Sequence, residues 1–476
     1  MEDKSKKVGL IGLITMVIGS MIGGGIFNIP QNMATNSALG PILIAWGITG
    51  IGMLMLGYAF KTLSDQRSDL TTGIYAYARE GFGRYVGFNA AWGYWISAAV
   101  GNVAFAVMVN DALGFYFPSL LNHGIETMIF GLVLIWFYNF VVLRGVTEAT
   151  ELNTISTIVK FIAILGIIGI MIAFFNFDMT KVDFWGEGLN LGTIGSQIKS
   201  PMLVTLWCFI GIEGAVIISS RAKKSSDVGK ATIIGFLVSL VLYMAICVLA
   251  FGIMKQPELA KLTDPSAAYV MKNSVGDWFI HFVNISILIS VGGAWVAWTI
   301  LMAQVPYAAA QDGVLPKIFA RENKKGAPKA ALYISSIVMS LFMVVVVTAK
   351  DVYMASIDIA GVMVLPAYVL SSMFLWKESA KSNILKDKNK QRIKALLIGI
   401  FSTIYCLWLV YAAGLTYVLM STIFYAVGIY FFYQTHKEDL KQGKKIFTVF
   451  DKVLAAVMII GAIISIVMMT TGDMTL

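Results

Sequence analysis

The sequence predicts an all-α polytopic membrane protein, with two five-span blocks of opposite orientation followed by two or three further helices. Three observations predict it. Hydrophobic residues make up 58% of the 476 and charged residues only 13%, against about 25% charged in an ordinary soluble domain. Apolar runs of about 20 residues, enough to cross a bilayer as a helix, recur thirteen times. Two of those runs, the first and the sixth, are interrupted in the middle by glycine.

The runs fall at about 8–30, 40–60, 84–117, 125–143, 151–175, 199–220, 229–254, 277–311, 329–349, 353–376, 394–413, 415–434 and 450–471. In the first, Met21-Ile22-Gly23-Gly24-Gly25-Ile26-Phe27 places three glycines together, with Ser20 beside them. Each costs about 1 kcal/mol against alanine in a helix interior, so the helix is invited to open. Opened backbone at bilayer depth is tolerated only where it faces protein or a water-filled cavity. Its freed amides sit at an electropositive helix end and suit an anionic group such as a carboxylate. Close helix packing is the alternative use of small residues in membranes. The matching break in the sixth run favours a binding site.

The third and eighth runs are long and must tilt or project beyond the hydrocarbon. Tyr94, Ser97 and Asn102 line one broad face of the third, and an amide at the depth of Asn102 needs a partner. Lys160 lies within the fifth run. It either fills a cation-sized slot against the opened first helix or snorkels toward the nearer surface. In the sixth, Phe209-Ile210-Gly211-Ile212-Glu213-Gly214-Ala215 sets a carboxylate between glycines. Ionisable groups at this depth are costly and usually functional, although Glu213 could instead cap the broken helix. Trp207, six residues earlier, is placed to close over a substrate or to stack on a cation. Trp295 and Trp298 on the eighth run offer the same chemistry, and packing accounts for at least one of them. Asp358, near Ser356 on the tenth run, either meets a positively charged side chain or is solvated near the outer end.

These runs divide the chain into a short N-terminus (1–7), a first block of five spans (8–175), a second (199–376) and additional C-terminal spans (394–471). An odd number of spans per block inverts the second relative to the first, the pattern of secondary transporters. Most of the 36 lysines and arginines fall in alternate connections, such as Arg221-Ala222-Lys223-Lys224 and Lys377 to Lys394. That asymmetry puts the N-terminus in the cytoplasm and the C-terminal Gly472 to Leu476 outside. It also accounts for the net charge of +9 without a nucleic-acid partner. The lipid bilayer is the expected surrounding, and a monomer and a homodimer are both compatible with the sequence.

Other classes lack their motifs. Cys208, Cys247 and Cys406 all lie in apolar runs, which implies neither disulfides nor a metal cluster. No G-x-x-x-x-G-K-[ST] or H-E-x-x-H segment occurs, and His123, His281 and His436 are scattered. A membrane enzyme is therefore disfavoured, and no cofactor is implied.

The stretch from Gly23 to Ala34 resembles a signature of the bacterial basic amino acid/polyamine antiporters, within the amino acid–polyamine–organocation superfamily. Gly87-Phe88-Asn89, Trp92-Gly93-Tyr94-Trp95, Gly101-Asn102, Trp207 to Glu213 and Ala309-Ala310-Gln311-Asp312-Gly313 carry the likeness along the chain, which is nearest to the arginine/ornithine antiporters. The resemblance implies a 5+5 inverted-repeat fold with discontinuous first and sixth helices, in a bacterial plasma membrane. It implies that backbone from Met21 to Gly25 takes a substrate carboxylate and backbone at Ile210 the α-amine. Trp207 would close over the substrate, Asn102 and Ser97 would contact its side chain, and Trp298 would stack on the cationic end. Ser356 and Asp358 stay open as the tenth-span contact. Glu213 would couple gating, and Lys160 resembles the lysine of proton-coupled relatives. Two positions differ from the pattern: Gly24 stands in place of a serine, and Ser97 in place of the alanine usual in arginine/agmatine exchangers.

The expected function is exchange of a cationic amino acid, arginine favoured, for a metabolic product, ornithine favoured, by alternating access. Proton-coupled symport is the alternative, as are lysine/cadaverine, agmatine/putrescine, histidine/histamine and tyrosine/tyramine exchange.

Overall fold

In a computed structural model the structure describes residues 7–122, 124–176, 183–346, 352–386 and 388–471. Among these residues there is no β-strand, only an isolated parallel bridge between Val8 and Ala222. The first run is two helices, α1 (Leu10–Met21) and α2 (Ile29–Ala34), with one 3-10 turn at Gly25–Phe27 between them. Then come α3 (Leu39–Gln66), the short α4 (Ile74–Phe82), α5 (Arg84–Gly114), α6 (Ile125–Leu143), α7 (Val146–Ala173) and α8 (Ile194–Lys199). The sixth run is also two helices, α9 (Met202–Phe209) and α10 (Gly214–Ile217). Next, α11 (Ser225–Phe251) leads through α12 (Gln256–Leu259), α13 (Ser266–Val270) and α14 (Lys272–Val275) to α15 (Trp278–Gln311). Finally α16 (Lys329–Val346), α17 (Val352–Ala380), α18 (Asn389–Ala413), α19 (Leu415–Thr435), α20 (Lys437–Lys441) and α21 (Val449–Thr471) complete the chain.

Ten described helices are long and apolar enough to cross a membrane, while α1 and α16 are apolar but shorter. This is a multi-pass membrane protein. All thirteen apolar runs contain helix, but several boundaries differ from expectation. The fifth begins at Val146 rather than 151, the seventh at Ser225 rather than 229, and the eleventh at Asn389 rather than 394. In each case a polar first turn precedes the apolar run, because helical hydrogen bonding continues where side chains reach water. The eleventh and twelfth runs separate at Gly414, whose φ of +82° and ψ of 159° suit glycine almost alone. Residues 1–6 and 472–476, which carry part of the expected orientation, lie outside the described residues.

Enclosure ranks the helices. Of the most apolar window, 89% is buried in α5 and 78% in α15, against 22% in α21. The middle of the bundle is therefore α5 and α15, with α1 and α17 packed on them. One end is tied together by polar links between distant segments. Arg79 on α4 pairs with Asp312 at 2.7 Å, and Arg67 reaches Glu378 on α17 at 3.2 Å. Val8 N donates to Arg221 O at 2.7 Å and Lys223 N to Val8 O at 2.9 Å. Arg67, Arg79, Arg221, Lys223 and Lys377 all gather here, so this is the basic end.

Candidate functional site: a cavity between two broken helices

The opening of α1 after Met21 releases backbone groups that the helix ladder no longer satisfies. Carbonyls from Gly19 to Gly23 are all taken up by side chains of other helices. Lys160 Nζ on α7 donates to Gly19 O at 3.1 Å and Ile22 O at 2.6 Å. Trp298 Nε1 on α15 donates to Ser20 O at 2.8 Å, and Tyr243 OH on α11 to Met21 O at 2.7 Å. Ser290 Oγ on α15 donates to Gly23 O at 2.8 Å. The amides are the other half of the break. No carbonyl among the described residues takes up the N–H groups of Gly24, Gly25 and Ile26.

The break between α9 and α10 is held by Glu213. Its carboxyl accepts from Tyr94 OH on α5 at 2.9 Å, Tyr368 OH on α17 at 2.6 Å and Gly211 N at 3.1 Å. Gly211 has a φ of +109°, and a Cβ there would lie 2.8 Å from the Ser20 side chain. Ser20 Oγ donates to Gly211 O at 2.9 Å, so the two breaks are cross-linked.

Between them lies a narrow cavity of about 20 Å³. Ser20, Met21, Gly23, Gly25, Ser97, Ala98, Gly101, Phe105, Trp207, Ile210 and Trp298 line it. Ser97 Oγ donates to Ala360 O of α17 at 2.7 Å. The ring of Trp298 stacks on Tyr94 (centroids 6.2 Å apart, planes at 24°) while also lining the cavity. The Trp207 indole fits because two side chains are missing. A Cβ at Gly25 would lie 3.0 Å from its Nε1, and one at Gly101 3.4 Å from its ring.

Eight expected residues thus line the cavity: Ser20, Met21, Gly23, Gly25, Ser97, Trp207, Ile210 and Trp298. The others do not. Gly24 faces the Met108 and Val291 side chains rather than the cavity. Tyr94 and Glu213 lie beneath it, one helical turn from Ser97 toward the basic end. Asn102 is fully buried and donates back to Ala98 O at 2.9 Å. Ser356 and Asp358 are buried on α17, but it is Ala360 that meets the site through Ser97. Lys160 lies behind the first break, in the slot against the opened backbone and not at a surface. Trp295 is a packing residue, fully buried and stacked on Tyr138 at 4.6 Å.

Six contributors were not among the expected site residues: Ala98, Gly101 and Phe105 on the lining, and Tyr243, Ser290 and Tyr368 at the breaks. Ser290 had a signal, since it precedes Trp298 by eight residues and shares its helix face. No group of three or more His, Cys, Asp or Glu among the described residues could hold a metal ion.

A family model described as amino acid permease matches residues 8–433. The chain belongs to the amino acid permease family. It therefore falls in the amino acid–polyamine–organocation superfamily. The arginine/agmatine antiporter of Chlamydia caviae is 45% identical over 93% of this chain and 92% of the relative. That of Chlamydia felis is 45% identical over 94% and 93%. That of Chlamydia pneumoniae is 42% identical over 98% of each chain. The permease model ends before α21, so the last helix lies beyond the matched family core.

Proposed function

We propose that this permease is a secondary transporter that exchanges arginine for its decarboxylated amine, agmatine, by alternating access. The observation that carries the reading is the cavity itself, with the opened backbone of Gly23 and Gly25 on one side, the Gly25 amide unpaired among the described residues, and the Trp298 ring on the other. The amides suit a carboxylate, and a flat guanidinium stacks on an indole face. Arginine uses both halves. Agmatine keeps the guanidinium and loses the carboxylate, whereas ornithine does the reverse. The names of the relatives support agmatine over ornithine as the counter-substrate.

In this scheme Ile210 O takes the α-amine, Trp207 closes over the bound molecule, and Ser97 limits its length. Gly24 contributes its amide only. Asn102, Ser356 and Asp358 would enter through a rearrangement of α5 and α17. Glu213 and Lys160 couple the two breaks to substrate occupancy. Residues 8–175 and 199–376 act as two inverted repeats, supported by the break that opens each. The basic end is cytoplasmic, supported by lysine and arginine placement.

Labelled arginine uptake into proteoliposomes tests the reading. Uptake should require an internal counter-substrate, with agmatine more effective than ornithine or lysine. The location of Lys160 inside the first break favours one second reading, proton-coupled symport. Uptake into empty vesicles that rises with an inward proton gradient would establish symport and overturn exchange.

A further inference from the structure

A second cavity, of about 270 Å³, opens at the basic end between α3 and α18. Tyr58, Lys61, Thr62 and Asp65 of α3 face Gln391 and Lys394 of α18 across it. Lys61 is paired with Asp65 at 2.7 Å, and Lys394 lies 5.9 Å from the centre of the Tyr58 ring. Two amines against one carboxylate leave the pocket positive. The chain from Lys386 into the first turn of α18 adds Lys386, Lys388, Lys390 and Arg392 against the single carboxylate of Asp387.

What continues from the pocket is apolar. Residues seven apart lie on one face of a helix. Seven before Tyr58 on α3 is Ile51, 67% exposed, and seven after Lys394 on α18 is Phe401, 57% exposed. Both rows lead from the basic end toward the middle of the bundle. A positive pocket in line with an exposed apolar trough fits an amphiphile with an anionic head.

We propose that this groove binds an anionic phospholipid. Its headgroup phosphate would sit between Lys61 and Lys394, and an acyl chain would lie along Ile51 and Phe401. Free phosphate shares the headgroup chemistry but leaves the apolar rows uncovered.

The test uses the purified full-length protein in detergent, with bound lipid read by native mass spectrometry. Phosphatidylglycerol should be retained in preference to phosphatidylcholine of the same chain length. Lys61→Gln and Lys394→Gln should each weaken retention about fivefold, the effect of one basic residue near an anionic surface. Phe401→Ser should weaken it as well, and Lys437→Gln, an exposed lysine of α20, should leave it unchanged. Equal retention of both lipids, or retention indifferent to both lysine variants, would overturn the proposal. So would displacement by inorganic phosphate as effective as by phosphatidylglycerol, which would identify a free-anion site. Each variant is read separately and checked for an unchanged melting temperature, so loss of one fold leaves the other as the test. The readout is independent of transport, so failure of the exchange reading does not affect it.

Discussion

Trp298 makes three contacts at once: its Nε1 holds the Ser20 carbonyl, one face rests on Tyr94, and its ring lines the cavity. Trp298→Leu should therefore weaken guanidinium substrates far more than small neutral ones, by the 0.5–2 kcal/mol or so of a cation–π contact. Competition against labelled arginine measures this, and equal loss for both classes would count against stacking. Lys160 invites a different measurement. Lys160→Met strips the donor from two buried carbonyls, each costing about 1–3 kcal/mol when unsatisfied. The melting temperature in detergent should fall, and Lys160→Gln should recover part of it. Legibility at this scale followed chemical rarity. Trp298, Glu213 and Lys160 stand out in apolar runs, whereas Tyr243 and Ser290 look like ordinary span hydroxyls until the fold brings them to the break. Asn102 is legible only in part: its amide donor is satisfied on its own helix, while its buried oxygen has no partner among the described residues.

The glycines of the first break divide their work. Gly25 makes room for Trp207, whereas Gly24 makes room for Met108, whose methyl would lie 2.1 Å from a Cβ placed there. Gly24→Ser should thus slow exchange through crowding and not through any new grip on a carboxylate. Met108→Ala in the same chain should restore much of the rate, because the obstructing atom ends a flexible side chain. No recovery in the double variant would place the defect at Val291, whose Cγ2 would lie 2.8 Å from the same Cβ, or in the backbone. At Gly414 a Cβ meets nothing, so Gly414→Ala isolates the conformational penalty of order 1–3 kcal/mol. Thermal unfolding should register it while substrate competition stays unchanged. Both broken helices were legible because glycine weakens a helix wherever it occurs. The polar first turns of α7, α11 and α18 were not, since hydrophobicity marks where a helix meets lipid and not where its hydrogen bonds begin.

Across the whole molecule, the basic end is fastened by links that join segments far apart in sequence. Arg67 contacts Asp69, Glu80 and Glu378 together. Its guanidinium holds the Asp69 carboxyl below the usual carboxylate range through hydrogen bonds. A depressed carboxylate contributes stability at neutral pH that is lost as pH falls through its lowered value, below about 4. Arg67→Ala should accordingly speed deuterium exchange of residues 67–82 at pH 7, and acidification below that range should do the same to the unaltered protein. Segment pairings such as Val8 with Arg221 carry no sequence signature, because they are made by polar backbone that any residue could supply. The opened stretch of α1 has a consequence for what can drive the cycle. An alkali cation needs several oxygens free to replace its water shell, yet the carbonyls of Gly19 to Gly23 already accept from an amine, an indole and two hydroxyls. The Lys160 amine already fills the space against the Gly19 and Ile22 carbonyls that such a cation would need. Arginine uptake should then run at the same rate when choline replaces sodium on both sides of the membrane.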